Sequence, residues 1–306
     1  MSPEVLADTA EIARSSARIG DPTPTPSAAS VDVEIAGLTH TGKIRTNNED
    51  NFLVIRFGRF LQTMLTSLPE GHLQPDHGLT GYGMVVADGM GGMAAGEVAS
   101  RLALTLLVDL VLETPDWILS LDEPYSDEVA ARAVRRFYQV NESIIERARR
   151  EPRLRGMGTT LTLACSLGTD LLIVHVGDSP AYLLRGKELH RLTRDHTVAQ
   201  QMADHGTIPL QQVPSRYRHI LTHAIGVREA GSEPDICRLH LCDGDRLLLC
   251  TDGLTDMMDD PTISGLLQSQ VTSESACEAL VDSALERGGR DNVTVVVATY
   301  HVAPGS

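Results

Sequence analysis

The chain has 306 residues, 42% of them hydrophobic and 22% charged, with a formal net charge of −15. That length and apolar content allow a sizeable core in one large domain or two ordinary ones. The negative balance argues against nucleic acid or anionic membrane as the main partner, because either would be repelled, and clustered carboxylates suit hard cations instead.

The five cysteines (Cys165, Cys237, Cys242, Cys250 and Cys277) are odd in number and contain no C-x-x-C pair. They read as reduced thiols of an intracellular protein. None has an Arg six residues later, so the phosphate loop of a cysteine-dependent phosphatase is absent. No apolar run approaches the roughly 20 residues of a membrane-spanning helix, and no basic start precedes an apolar run. The expected location is the cytoplasm.

Residues 1–30 are rich in Ala, Ser, Thr and Pro, and Asp21-Pro22-Thr23-Pro24-Thr25-Pro26 cannot sustain a helix or a central strand. A flexible tail is expected there, with order over 31–302 as one domain. Val33 to Leu38 alternates as a strand, 42–50 is a polar turn, and Asn51 to Arg56 is the next strand. Phe57 to Tyr82 reads as an insertion with a short helix around Leu61, Met64, Leu65 and Leu68. Met84 to Ala87 is a third strand. Helices follow over Met93 to Leu112 and about Asp127 to Arg150, the second with Ala130, Val134, Phe137, Val140, Ile144 and Ile145 at helical spacing.

From Thr160 the pattern turns to short strands: 160–167, 171–176, 181–185 and 189–192, separated by tight turns as in an antiparallel meander. Thr197 to His205 is a short helix. Gly206 to Gly226 is a long aperiodic loop with a basic segment, Arg216-Tyr217-Arg218-His219, and loops of that length inside a compact domain are usually functional. Asp243-Gly244-Asp245 reads as the turn of a hairpin between 237–241 and 246–250. Helices near 261–268 and 274–287 precede a final strand over Val293 to Val302. This order gives an α+β fold, antiparallel sheets with helices packed outside.

The chemistry lies where apolar strands meet acids. In Val85-Val86-Ala87-Asp88-Gly89-Met90-Gly91-Gly92 a buried strand stops at a carboxylate, and glycines let other groups approach the backbone. Asn48-Glu49-Asp50, Gly177-Asp178-Ser179, Thr251-Asp252-Gly253 and Arg290-Asp291-Asn292 repeat the theme. Each alone is an ordinary turn or cap. Together, several abut core strands, and carboxylates brought to one place repel one another unless cations neutralise them. Oxygen-only donors, without His or Cys at ligand spacing, favour Mg²⁺ or Mn²⁺ over Zn²⁺.

These stretches, with Arg45-x-x-Asn48-Glu49-Asp50, Gly158-Thr159-Thr160, Asp195-His196-Thr197 and Leu221-Thr222-His223-Ala224-Ile225-Gly226, occur in an order that resembles the metal-dependent serine/threonine protein phosphatases of type 2C, in their bacterial form. The resemblance spans about residues 33 to 300. It implies a four-layer α/β/β/α sandwich of two antiparallel sheets flanked by helices, with a dinuclear Mg²⁺ or Mn²⁺ centre at one end. It further implies that Asp88 bridges two metals, the Gly89 carbonyl binds one, Asp252 and Asp291 hold the other, and Asp50 with Glu49 serves the second metal. Asp178 matches the position of a weaker third metal, and Arg45 the residue that grips the substrate phosphate. The implied reaction is hydrolysis of phosphoserine and phosphothreonine monoesters by direct attack of a metal-bridging hydroxide. Implied partners are phosphorylated proteins, with a Ser/Thr kinase as counterpart in signalling. The chain is expected to be a monomer.

The chain departs from the family pattern at three places. Met90 stands where many eukaryotic members have a histidine, His223 where Arg is usual, and Pro180 where Arg is common. His196 is expected to be structural, since Asp-His-Thr begins a helix. The competing reading is a catalytically silent relative that binds phosphoproteins or senses a signal; a weaker one is a two-metal nuclease, against which the net charge speaks.

Overall fold

The computed structural model describes residues 31–59, 79–91, 95–113, 126–206, 208–209, 212–228 and 230–303. The expected tail over 1–30 and the expected helix near Leu61 to Leu68 lie outside these residues. Among the described residues, eleven strands form two antiparallel sheets. The first contains β1 (Val31–His40), β11 (Val293–Val302), β10 (Arg246–Cys250), β7 (Ala181–Arg185) and β8 (Glu188–Arg191), in that order. The second runs β2 (Asp50–Arg59), β3 (Leu79–Met90), β5 (Leu161–Leu167), β6 (Asp170–Val176), β9 (Asp235–His240). The two-residue β4 (Gly158–Thr159) pairs with the last residues of β3.

The strands are apolar on both faces because both faces are covered. On β3, Met84 and Val86 point between the sheets, while Val85 and Ala87 point to the helices. On β10, Leu247 and Leu249 face inward, while Leu248 and Cys250 face outward. The second sheet is covered by α1 (Ala95–Leu112) and α2 (Ser126–Arg150), whose Ala99, Ala103, Phe137 and Ile144 are buried against it. The first is covered by α5 (Asp260–Ser269) and α6 (Ser273–Glu286) through Ile263, Leu267, Leu280 and Val281. The remaining α-helices among the described residues are short: α3 (Val198–Asp204) and the single turn α4 (Asp252–Thr255). The expected four-layer sandwich is therefore what the chain forms.

Three local expectations change. The 237–241 and 246–250 strands do not form a hairpin: β9 pairs with β6, whereas β10 pairs with β7 and β11 in the other sheet. Asp243-Gly244 turns the chain from one sheet to the other, with the Gly244 N–H donating to the Tyr300 carbonyl. The meander is likewise broken at Gly177-Asp178, where β5 and β6 stay in one sheet and β7 and β8 join the other. The insertion-like stretch begins and ends as strand, with Arg59 opposite Leu79, so β2 and β3 are longer than their apolar cores indicate.

The topology fixes where the acids go. Antiparallel pairing brings the start of β2, the end of β3 and the end of β6 to one edge of the second sheet. It brings the end of β10, the start of β7 and the start of β11 to one edge of the first. Hydrogen bonds across the layers show these edges to be the same end of the sandwich: Glu49 N–H to Asn292 Oδ1 at 2.8 Å, and Thr251 Oγ1 to Asp50 Oδ2 at 2.8 Å.

Candidate metal centre

Asp50 and Asp88 stand opposite each other on β2 and β3. Asp88 lies within the last turns of β3 rather than beyond it, and its backbone is held from both sides. Its N–H donates to Thr160 Oγ1 (2.9 Å), and its carbonyl accepts from the Thr160 N–H (2.9 Å) and Thr159 Oγ1 (2.8 Å). The Gly89 N–H donates to the Glu49 carbonyl. A Cβ on Gly89 would collide with the Gly96 carbonyl of α1, so this strand end and the helix meet at a distance only glycine allows. The same holds at Gly253, where a Cβ would strike the Asn292 carbonyl. That contact sets α4, and with it Asp252, against the start of β11 and Asp291.

A cleft of about 770 Å³ opens at this end. Arg45, Glu49, Asp88, Gly89, Asp178, Asp252 and Asp291 all line it. Asp50 sits buried behind it, 4% exposed. The structure thus brings together every site residue read from the sequence, from positions 45 to 291. Arg45 donates to Asp291 at 2.8 Å, and both side chains remain partly open to solvent.

The electrostatics are those of an anionic cluster that Arg45, at Asp291, and His219, at Asp252, compensate only in part. Burial, then the charges of Asp50, Asp252, Asp178 and Asp291, push Asp88 well above the ordinary carboxylate range. Burial, then Asp252, raises Asp178 well above it too. Asp50 is raised by burial and opposed by hydrogen bonds from Thr294 and Thr251, with Asp252 and Asp291 adding to the rise. Asp50 Oδ1 is buried with no hydrogen-bond partner. A buried, unsatisfied carboxylate oxygen opposite Asp88 and in the field of Asp252 and Asp291 is a site that a divalent cation would complete, and hard oxygen donors are what Mg²⁺ or Mn²⁺ require.

Two residues of the cleft were not singled out by sequence. His219, from the basic segment of the long loop, lies 3.8 Å from Asp252 and 3.7 Å from Asp256. Its ion pair with Asp252, then Asp256, raises it to about 9, so it is a cation at neutral pH. Asp256 sits one helical turn after Asp252, a spacing that could have revealed it. His196 is not among the cleft's lining residues: its Nδ1 accepts from the Gly177 N–H, its Nε2 faces Asp235 at 3.1 Å, and its ring packs between His175 and His223. Met90 does line the cleft.

The family model for protein phosphatase 2C matches residues 74–288. The chain belongs to the protein phosphatase 2C family. Among relatives of this family, it is 43% identical over 218 residues to the serine/threonine protein phosphatase PstP of Mycobacterium tuberculosis, covering 70% of this chain and 40% of that protein. The chain thus spans about two fifths of the length of that relative. It is 31% identical over 280 residues to protein phosphatase PhpP of Streptococcus pneumoniae, covering 88% and 98%. Its fold matches the crystal structure of the PstP catalytic domain with two manganese ions, with a TM-score of 0.69, 33% identity and coverage of 89% and 100%.

Proposed function

We propose that this protein is a serine/threonine protein phosphatase that removes phosphate from phosphoserine and phosphothreonine of other proteins. The observation that carries the reading is the meeting of Asp50, Asp88, Asp178, Asp252 and Asp291 with Arg45 at one end of the sandwich. A silent phosphoprotein binder would need the arginine but not a buried anionic cluster that resists ionisation.

Mg²⁺ or Mn²⁺, two per site with a weaker third beside Asp178, would supply an activated water and neutralise charge on the phosphate. Asp88, the Gly89 carbonyl, Asp50, Asp252 and Asp291 would hold the two principal ions, with Glu49 next to Asp50 in the chain. Arg45 orients the phosphoryl group. Its guanidinium is planar, permanently charged and at the cleft mouth, so it can exchange Asp291 for two phosphate oxygens in a forked pair. His219, from the long loop, also lines the cleft and lies 3.8 Å from Asp252. Met90 carries no proton to give the departing alcohol.

We further propose that residues 31–302 form the catalytic domain, that it acts as a monomer in the cytoplasm, and that its substrates are those of a partner Ser/Thr kinase in a signalling pair. Among the described residues no helix is long and apolar enough to cross a membrane. The test is hydrolysis of p-nitrophenyl phosphate and of a phosphothreonine peptide. Turnover should need Mn²⁺ or Mg²⁺ and vanish in Asp252→Asn; turnover in excess chelator would refute the reading.

A further inference from the structure

Asp50 is held on one oxygen and left open on the other. Its Oδ2 accepts from Thr251 Oγ1 and from Thr294 Oγ1, both at 2.8 Å. Its Oδ1 has no partner. The hydroxyl directions can be assigned. Thr251 Oγ1 accepts the Thr294 N–H at 3.0 Å, which leaves its own hydrogen for Asp50. Thr294 Oγ1 gives its hydrogen to Asp50 and so accepts from Thr39 Oγ1 at 2.7 Å. Thr39 in turn accepts from Asn48 Nδ2 at 2.9 Å. Asn48 Oδ1 accepts the Asp50 N–H at 3.2 Å, which closes a ring.

Every donor in this ring points the same way: Asn48 to Thr39, Thr39 to Thr294, Thr294 to Asp50. Chains so aligned polarise one another. Thr39 and Thr294 are paired across β1 and β11, Thr251 directly follows β10, and Asp50 begins β2, so the ring ties the two sheets together at the centre.

We propose that Thr251 and Thr294 are positioning residues for the metal centre, with Thr39 and Asn48 behind them: the hydroxyl pair occupies Asp50 Oδ2, fixes the carboxylate in one orientation and presents Oδ1 alone to a cation. Asp50 is then a one-oxygen ligand whose geometry is set before any ion arrives. Outer-shell partners of this kind are worth about 10–100-fold in metal affinity. The inference rests on the reading of Asp50 and its neighbours as a metal centre.

The experiment is calorimetric titration of metal-stripped protein with Mn²⁺, for wild type, Thr294→Val, Thr294→Ser, Thr251→Val, Thr39→Val and Asp252→Asn. Thr294→Val keeps the shape and loses the hydroxyl; Thr294→Ser keeps the hydroxyl. Thr294→Val should bind at least one Mn²⁺ about 10-fold or more weakly, and Thr294→Ser should restore near-native affinity. Thr39→Val should weaken binding less, in the same direction. Native affinity in both Thr294→Val and Thr251→Val would overturn the proposal, as would equal losses in Thr294→Val and Thr294→Ser. If Thr294→Val does not fold, Thr251→Val and Thr39→Val carry the same test. A wild type that binds no Mn²⁺, or binds it no better than Asp252→Asn, would instead sink the metal centre itself.

Discussion

Asp50 and Asp88 face each other across neighbouring strands, each raised above the ordinary carboxylate range, with the charge of Asp50 adding to Asp88's difficulty in ionising. Two buried acids at adjacent ladder positions are a cost to the metal-free fold. Asp88→Asn keeps the shape and removes one charge. It should raise the melting temperature of metal-stripped protein by about 2–4 °C per kcal/mol of relieved repulsion. The same change should lower Mn²⁺-dependent turnover by roughly 10³-fold or more, about 4 kcal/mol of transition-state stabilisation. A melting point below wild type, with activity retained, would contradict it.

The same repulsion has a pH signature. Asp50, Asp88 and Asp178 have folded-state values above their unfolded ones, so the folded chain binds more protons, and this stability is lost as pH rises through the raised values. His219, raised to about 9, works in the same direction. His175, buried and pushed down to about 3, works oppositely but only below its unfolded value. Metal-stripped protein should therefore melt lower at about pH 8.5 than at about pH 7. Saturating Mn²⁺ should stabilise it more at the higher pH, because fewer protons must leave. Differential scanning fluorimetry with and without chelator reads both; a stability that rises over that interval in metal-free protein would be the wrong sign.

Gly253 packs where a Cβ would strike the Asn292 carbonyl, and Asp252 and Asp291 are the residues on either side of that contact. Gly253→Ala should cost about 1–3 kcal/mol of stability, as overpacking does. It should also part the two acids, so Mn²⁺-dependent activity should fall further than the melting point explains. Native activity at saturating Mn²⁺ would show that this contact does not set the site.

Arg45 is 55% exposed, so Arg45→Ala should leave stability within about 0.5 kcal/mol. Steady-state kinetics on a phosphopeptide should show kcat/KM reduced by roughly 10–100-fold, equivalent to about 1.5–3 kcal/mol for a hydrogen bond to a charged group. Arg45→Lys should recover only part of it, since the ammonium cannot make the forked pair. Wild-type kcat/KM in Arg45→Ala would remove Arg45 from phosphate binding.

Much of this was readable because the chain buries its strands on both faces. Val85-Val86-Ala87 and Leu247-Leu248-Leu249 send alternate residues to two different cores, so the strands appear as continuous apolar runs that end abruptly at Asp88 and Thr251-Asp252. Asp243-Gly244-Asp245 misled because its local chemistry is the same whether the flanking strands pair or part. What separates them is tertiary: β10 is taken up by β7 and β11, and β9 by β6. Thr294 gave no signal at all, since its partners Asp50 and Thr39 lie 244 and 255 positions away and depend on the β1–β11 register. His219 was visible only as part of a basic segment; that it turns toward Asp252 and Asp256 is a property of the loop path.

The central claim is that these scattered acids form one container for a pair of divalent ions. Anomalous diffraction from crystals of the protein soaked in Mn²⁺ tests it directly. Two strong manganese peaks are expected in the cleft, with Asp88 between them and Asp50, Asp252 and Asp291 around them. Crystals saturated with Mn²⁺ that show no peak there, or peaks only at exposed surface carboxylates, would contradict the account.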